Sequence, residues 1–145
     1  MKGRRSAIAV GAAVILGTTG ALLVPAVASA HNTTHTLKFT SVEKKSIEFT
    51  KTTGGQQDTD LSSKGKTTGF DMLYFTAASA TSDAVNITVD TTGGFLYGTA
   101  TISFKTGKAS GKVTGGTGAF KGATGTIKAT AVSNVREAFT ITYRT

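Results

Sequence analysis

Asp71 is the acidic residue whose sequence context best suits acid–base chemistry. It lies in an alternating apolar segment, and period-two parity places it on the same strand face as Leu73 and Phe75. One interpretation puts Asp71 near a strand end, bonded to a lysine or threonine across the sheet. The other buries it among apolar neighbours, where its pKa would rise and it could exchange protons with a substrate. Asp71 is therefore the candidate catalytic residue.

The two histidines, His31 and His35, offer a metal-binding alternative. Cleavage after Ala30 would make His31 the N-terminal residue, whose amine and imidazole can chelate copper, with His35 as a third nitrogen ligand. The competing interpretation is that both are ordinary polar residues of a frayed terminus. Both precede the first predicted strand, which argues against a buried nucleophile–histidine pair. The chain has no cysteine, so thiol chemistry is excluded, and we expect no cofactor.

The N-terminal segment has the pattern of an export signal. Lys2, Arg4 and Arg5 form a basic head, an uncharged apolar run covers residues 7–23, and a small-x-small cleavage site ends at Ala30. The arginine pair leaves open whether the general secretory or the twin-arginine route is used. We expect a secreted protein with no membrane insertion after cleavage. The predicted organisation is a signal peptide at 1–30 and a single domain at 31–145.

The charge of the chain indicates a soluble surface. The full sequence carries 16 basic and 8 acidic residues, a formal net charge of +8. Three of the positive charges belong to the leader, and the lysines of the remainder are scattered singly or in pairs. A nucleic-acid-binding surface would cluster them beside stacking aromatic residues, so we expect no nucleic-acid partner.

Period-two alternation runs through the mature chain, and no segment shows helical periodicity. The pattern predicts eight strands joined mostly by hairpin-length turns, in an antiparallel up-and-down order. The polar segment 54–66 is predicted to be a long surface loop. The predicted strands cover residues 36–43, 46–52, 68–77, 83–91, 94–104, 109–115, 124–132 and 136–144.

Two predicted strands are apolar on both faces. In the third, Phe70, Met72 and Tyr74 lie opposite Leu73 and Phe75. The fifth has the same character, with aromatic residues at Phe95 and Tyr97. Such strands are normally covered on both sides, which favours a homo-oligomer. The alternative is a monomer in which these aromatic residues cap the ends of a barrel and its shallow grooves.

A glycine-rich run near the C-terminus predicts a sharp bend fastened to the core by one aromatic ring. It does not match a phosphate-binding loop, because the required glycine spacing fails and no helix follows. The structural positions of this predicted turn are Gly115, Gly116, Gly118, Phe120, Gly122 and Gly125.

This run, Gly-Gly-Thr-Gly-Ala-Phe-Lys-Gly-Ala-Thr-Gly at 115–125, resembles the late hairpin of the allene oxide cyclase/dirigent-like barrel superfamily. The flanking segments at 98–102 and 139–144 resemble it too, and the small exported actinobacterial members are the most similar. The resemblance implies an eight-stranded antiparallel β-barrel with an apolar cavity, commonly assembled as a trimer. For the characterised plant relatives it implies closing an oxylipin epoxide into a ring, or steering phenoxy-radical coupling. The segment 37–42 lacks the His-Asp pair of dirigent proteins, so no catalytic residue transfers.

The resulting functional hypothesis is an exported barrel that binds a small apolar or aromatic molecule, as an isomerase-like or dirigent-like guide of cyclisation or coupling. Catalysis of this kind rests mainly on holding a reactive intermediate in one conformation. The alternative is a non-catalytic extracellular or cell-wall-associated interaction module. The predicted ligand-binding residues are Phe39, Phe70, Met72, Tyr74, Tyr97 and Tyr143.

Overall fold

The computed structural model describes residues 33–145, so the predicted signal peptide and His31 lie outside the described residues. Within this range the chain is almost entirely β-sheet, and no helix there is long and apolar enough to cross a membrane. The strands are β1 (Thr34–Thr50), β2 (Thr53–Leu61), β3 (Thr67–Ser79), β4 (Ser82–Thr91), β5 (Gly94–Ser103), β6 (Lys108–Gly116), β7 (Thr124–Ser133) and β8 (Arg136–Arg144), with one 3-10 turn at Gly118–Phe120.

The eight strands form a closed antiparallel barrel in sequence order, with β8 pairing back onto β1. Each strand pairs with its neighbours in sequence, because most of the connections are too short to cross the sheet. Closure leaves no free sheet edge, which suits a chain without disulfides. The predicted eight-stranded up-and-down barrel is confirmed.

The boundaries of the first two strands differ from the prediction. Residues 36–43 and 46–50 are parts of the single strand β1, because the irregularity between Glu43 and Lys45 shifts the register without ending the strand, and residues 51–52 form the turn to β2. Much of the predicted loop at 54–66 is β2. Its sequence lacks apolar alternation because its two fully buried positions, Asp58 and Asp60, are acidic.

The barrel interior is filled over much of its length by inward-facing apolar side chains. β4 alternates as predicted, with Val85, Ile87 and Val89 inside, and β8 contributes Phe139 and Ile141. The Phe39 and Phe139 rings stack across the β1–β8 pair with centroids 5.1 Å apart. Burial of these side chains supplies the main stabilisation of the fold.

The glycine-rich run makes the predicted bend and inserts Phe120 into the core, where its side chain is only 4% exposed. Gly118 has a φ of +56°, in the left-handed region that glycine adopts without strain. Gly116 is required for a different reason, since a Cβ there would lie 2.5 Å from the Phe120 Cβ. The run therefore closes one end of the barrel around an aromatic plug. The remaining turn positions, Gly115 and Gly122, also have positive φ, whereas Gly125 lies on β7 against the backbone of β8.

Candidate functional site

A row of polar side chains crosses the otherwise apolar barrel wall on four adjacent strands. Strand pairing places Ser41 of β1 opposite both Glu137 of β8 and Asp60 of β2, and Asp58 of β2 opposite Asp71 of β3. The three aspartates and Ser41 are at most 2% exposed, and they are the only buried polar or charged residues among those described. The barrel thus encloses three carboxyl groups. We call Asp58, Asp60 and Asp71 the acidic cluster.

Asp58 is the member of the acidic cluster with hydrogen-bond donors. The Ser41 hydroxyl donates to Asp58 Oδ2 over 2.7 Å, and the Gln56 side-chain amide donates to the same oxygen over 2.8 Å. Charge-assisted bonds of this kind stabilise an ionised carboxylate. They allow Asp58 to carry a negative charge inside the barrel.

Asp60 and Asp71 have no donor for any of their carboxyl oxygens among the described residues, so they can satisfy one another only by sharing a proton. Burial raises the pKa of Asp71 to about 9, and the hydrogen bond and charge of Asp60 and the charge of Asp58 add to the effect. Burial also raises the pKa of Asp60 to about 6, against the lowering effect of its bond to Asp71. The pair therefore retains one proton at neutral pH, mainly on Asp71.

Glu137 lies next to the acidic cluster, on the side of the barrel end that carries the β7–β8 turn. Burial raises the pKa of its carboxyl, and the negative charges of Asp58 and Glu43 act in the same direction. Glu137 is only half-buried. It therefore adds negative potential near the cluster.

A cavity of about 400 Å3 opens at the opposite end of the barrel, where the β4–β5 turn lies. We call it the mouth cavity. Its volume lies within the range of small-molecule sites. Asp60 is the one acidic residue in its lining, which comprises Leu37, Lys38, Phe39, Asp60, Thr68, Val89, Thr91, Thr92, Gly93 and Phe120. The cavity thus joins an apolar surface to one carboxyl group of the acidic cluster.

Phe120 forms part of the cavity lining and is itself held by neighbouring rings. Tyr143 meets it edge-on with ring centroids 5.3 Å apart, a favoured geometry for aromatic pairs. His35 in turn stacks on Tyr143 at 5.2 Å. The glycine-rich run therefore supports the site as well as closing the barrel.

The structure separates the residues that were predicted to bind ligand. Phe39 lines the mouth cavity, whereas Tyr143 lies behind Phe120 and is absent from the lining. The other four point outward on β3 and β5 and lie outside the mouth cavity, so their predicted ligand-binding role stays a prediction. Their exposed fractions are 47% for Phe70, 54% for Met72, 43% for Tyr74 and 38% for Tyr97.

Asp71 is fully buried and has no bond to lysine or threonine, but its neighbours include Asp58 and Asp60, so its setting matches neither predicted alternative completely. Its catalytic role stays a prediction. Asp60 and Asp58 were missed because their segment was predicted to be a loop. The available signal was their period-two spacing, Asp-Thr-Asp, directly before Leu61. That spacing places both carboxyl groups on one face of a strand.

The copper hypothesis stays a prediction, because His31 lies outside the described residues. His35 is exposed on β1 and stacks on Tyr143. Within residues 33–145 there is no group of three or more metal-ligating side chains placed to hold an ion.

No protein-family model matches the sequence, and no curated protein matches it. Solved structures do match by fold. A pyocyanin demethylase has a TM-score of 0.64 and 16% identity, over 75% of this chain and 99% of its own. AbnU, an exo-specific intermolecular Diels-Alderase, has a TM-score of 0.63 and 8% identity, over 78% and 99%. The pterocarpan synthase dirigent protein PsPTS1 has a TM-score of 0.66 and 15% identity, over 77% and 95%. The chain thus has the allene oxide cyclase/dirigent-like barrel fold that its sequence resembles.

Proposed function

We propose that this protein binds a small apolar or aromatic molecule in the mouth cavity and guides its cyclisation or coupling. The observation that carries the proposal is the position of Asp60, a buried carboxyl group in the lining of an apolar cavity. The fold is shared with a Diels-Alderase and with dirigent proteins, which makes this class of reaction the natural candidate. Apolar walls would restrain the conformation of the substrate, and the carboxyl would act on its polar group.

In this proposal Asp60 is the catalytic residue, because it alone of the acidic cluster reaches the cavity. Asp71 is a positioning residue that stores the shared proton behind it. A proton that moves from Asp71 to Asp60 could pass to a substrate oxygen or carbon, and the pair could take one back as the ring closes. A pKa near 6 for Asp60 suits transfer in both directions near neutral pH.

Binding can be tested with the neutral solvatochromic dye Prodan. We expect its emission to shift to the blue on titration with the protein, because an apolar site excludes water from the dye. Leu37→Trp would fill the cavity and should abolish the shift, whereas Val132→Trp alters an exposed position of β7 and should preserve it. Equal binding by the wild type and the Leu37 variant, both folded by circular dichroism, would refute a ligand site in the mouth cavity.

The outer aromatic surface supports a second proposal, that the protein assembles with copies of itself as a trimer. We define this surface as Phe70, Met72, Tyr74, Phe95 and Tyr97. The aromatic residues of β3 and β5 flank the polar outer face of β4, and the rings of Phe95 and Tyr97 stack at 6.4 Å. Exposed apolar clusters usually mark interaction sites. The outer stripe of β3 on one copy can contact the outer stripe of β5 on the next copy. Head-to-tail contacts of this kind close cyclic oligomers.

Native mass spectrometry of the secreted protein would test assembly. Met72→Lys and Tyr97→Lys should each shift the protein toward monomer, whereas Val132→Lys, outside this surface, should not. A wild-type protein that is monomeric at high micromolar concentration would refute the assembly. We also propose that the protein is exported and cleaved after Ala30, so that the mature chain begins at His31. The mass of the secreted protein in the same sample would test this cleavage.

The outer aromatic surface also favours the alternative function, a non-catalytic interaction module outside the cell. If Prodan does not bind, no small molecule co-purifies and the protein self-assembles stably, the results would support that alternative over the ligand-binding barrel.

A further inference from the structure

We infer that the molecule bound in the mouth cavity carries a basic nitrogen whose positive charge pairs with the carboxylate of Asp60. The inference rests on the proposed function, because it names the chemical class of the ligand of that same site. Inside the barrel, the buried acidic residues are not matched by buried basic residues among those described.

The acidic cluster contains three buried aspartates and no buried base. Among residues 33–145 the buried polar or charged side chains are Ser41, Asp58, Asp60 and Asp71. One shared proton neutralises one of the three carboxyl groups, and the bonds from Ser41 and Gln56 satisfy Oδ2 of Asp58 but leave its Oδ1 without a partner. The charge on Asp60 is left without a compensating partner. Leaving a buried charge unpaired is costly, and pairing it is strongly favourable.

A ligand can reach the uncompensated charge of the acidic cluster only at Asp60. Its side chain is 2% exposed, its only donor is the proton that it shares with Asp71, and it lines the mouth cavity, whereas Asp58 and Asp71 do not. Lys38 also lies in the lining, but it occupies an exposed position of β1. The pKa of Asp60 is raised chiefly by burial, and Asp71 and Asp58 are the charged groups that modify it.

The remainder of the lining fits an apolar body attached to the cation. Leu37 and Val89 provide aliphatic contacts, and Phe39 and Phe120 provide aromatic rings. Aromatic faces attract cations as well as apolar groups. A neutral phenol or alcohol could donate one hydrogen bond to Asp60 but would leave its charge in place. An anionic ligand would be repelled by the acidic cluster, so an apolar amine is the best match.

Pairing with a cation should also move the shared proton. A positive charge beside Asp60 favours the ionised form of both carboxyl groups and so weakens their hold on the proton. The charged groups that interact with Asp60 are Asp71 on β3 and Asp58 on its own strand. Lys38 of β1 lines the same cavity from an exposed position, and Glu137 of β8 interacts with Asp58. Only the Asp60–Asp71 pair holds a proton that such a ligand could displace near neutral pH.

Three matched probes test the inference: naphthylmethylamine, its neutral isostere ethylnaphthalene, and the anion naphthylacetate. The chain contains no tryptophan, so naphthalene emission can be followed directly. At pH 7.5 we expect the amine to bind at least about tenfold more tightly than the neutral isostere, as for a partly buried ion pair, and the anion to bind most weakly. Calorimetry in buffers of different ionisation enthalpy should detect proton release on amine binding.

Asp60→Asn should reduce the preference for the amine to about twofold or less while ethylnaphthalene still binds. Asp90→Asn, on the exposed outer face of β4, is the matched control and should change neither affinity. Lowering the pH to 5 should likewise remove the preference, because Asp60 then takes up a proton.

The outcomes separate this inference from the proposed function. Equal binding of the amine and the neutral isostere by the wild type overturns the cationic ligand but leaves the apolar site standing. An amine preference that survives in Asp60→Asn also overturns it. Failure of all three probes to bind, with the protein folded by circular dichroism, overturns both.

Discussion

Asp71→Asn offers the sharpest test of the acidic cluster, because the wild-type residue ties the stability of the fold to pH. Asp71 is fully buried, and its pKa rises from 3.8 to about 9 in the folded chain. Between these two values the folded protein holds a proton that the unfolded chain releases. The free energy of unfolding must therefore decrease as the pH rises, and it is highest below the unfolded pKa.

The magnitude follows from the linkage relation. One proton held only by the folded state lowers the free energy of unfolding by about 1.4 kcal/mol per pH unit. From pH 6 to pH 8 the loss due to Asp71 should approach about 2.7 kcal/mol, and Asp60, with a pKa of about 6, adds a smaller loss at the start of the interval. The loss due to Asp71 is a large part of the roughly 5–15 kcal/mol that typically stabilises a domain. Replacing Asp71 with asparagine removes the titration, so the variant should be nearly insensitive to pH over this interval.

Urea unfolding followed by circular dichroism at pH 6, 7 and 8 measures the effect. The informative quantity is the difference between wild type and Asp71→Asn, since groups other than its partner Asp60 titrate equally in both proteins, and Asp60 titrates mainly near pH 6. Asp90→Asn, at an exposed position, should follow the wild type. A wild-type stability that stays constant or increases over this interval, relative to Asp71→Asn, would show that Asp71 is ionised in the folded protein, and the proton-sharing pair would have to be abandoned.

Three further predictions concern the core, the glycine-rich run and the acidic cluster. Phe120→Ala should lower the free energy of unfolding in urea by about 3–5 kcal/mol, since its ring is buried. The control Phe104→Ala changes a side chain that is 56% exposed and should lower it by under about 1 kcal/mol. Equal losses in the two variants would show that Phe120 is not part of the core. Gly116→Val should destabilise the fold at least as much as Phe120→Ala, because its Cβ collides with Phe120; a variant with wild-type melting temperature would contradict this packing. Ser41→Ala should lower the free energy of unfolding by about 1–3 kcal/mol, because the buried carboxyl of Asp58 loses a donor; an unchanged free energy of unfolding would show that this hydrogen bond does not stabilise the fold.

The fold could be predicted from local pattern, but the candidate site could be predicted only in part. Alternation was enough to locate six of the strands closely, and parity identified the buried faces of β4 and β8. The same reasoning misread β2, because it expects apolar residues at inward positions and Asp58 and Asp60 are acidic. Asp71 was identified as the candidate acid, but its partner Asp60 lies on a segment that had been excluded from the sheet.

Parity also failed to choose between the two apolar faces of β3. Both faces carry large apolar side chains, so alternation alone cannot say whether Leu73 or Met72 points inward. The closed barrel decides, because each residue must share a face with its cross-strand partners, and Leu73 pairs with Ile87 whereas Met72 pairs with Thr88. Four residues predicted to bind ligand therefore lie outside.

The amino-acid sequence by itself determined that this chain forms an antiparallel barrel with a glycine-rich bend pinned by Phe120. These features depend on alternation and backbone freedom, which are properties of neighbouring residues. Only the tertiary structure decided that Asp58, Asp60 and Asp71 meet inside the barrel, and that Asp60 alone faces the mouth cavity. Strand register brings these carboxyl groups together across β2 and β3, and the cost of burying their charges arises only when the barrel closes around them.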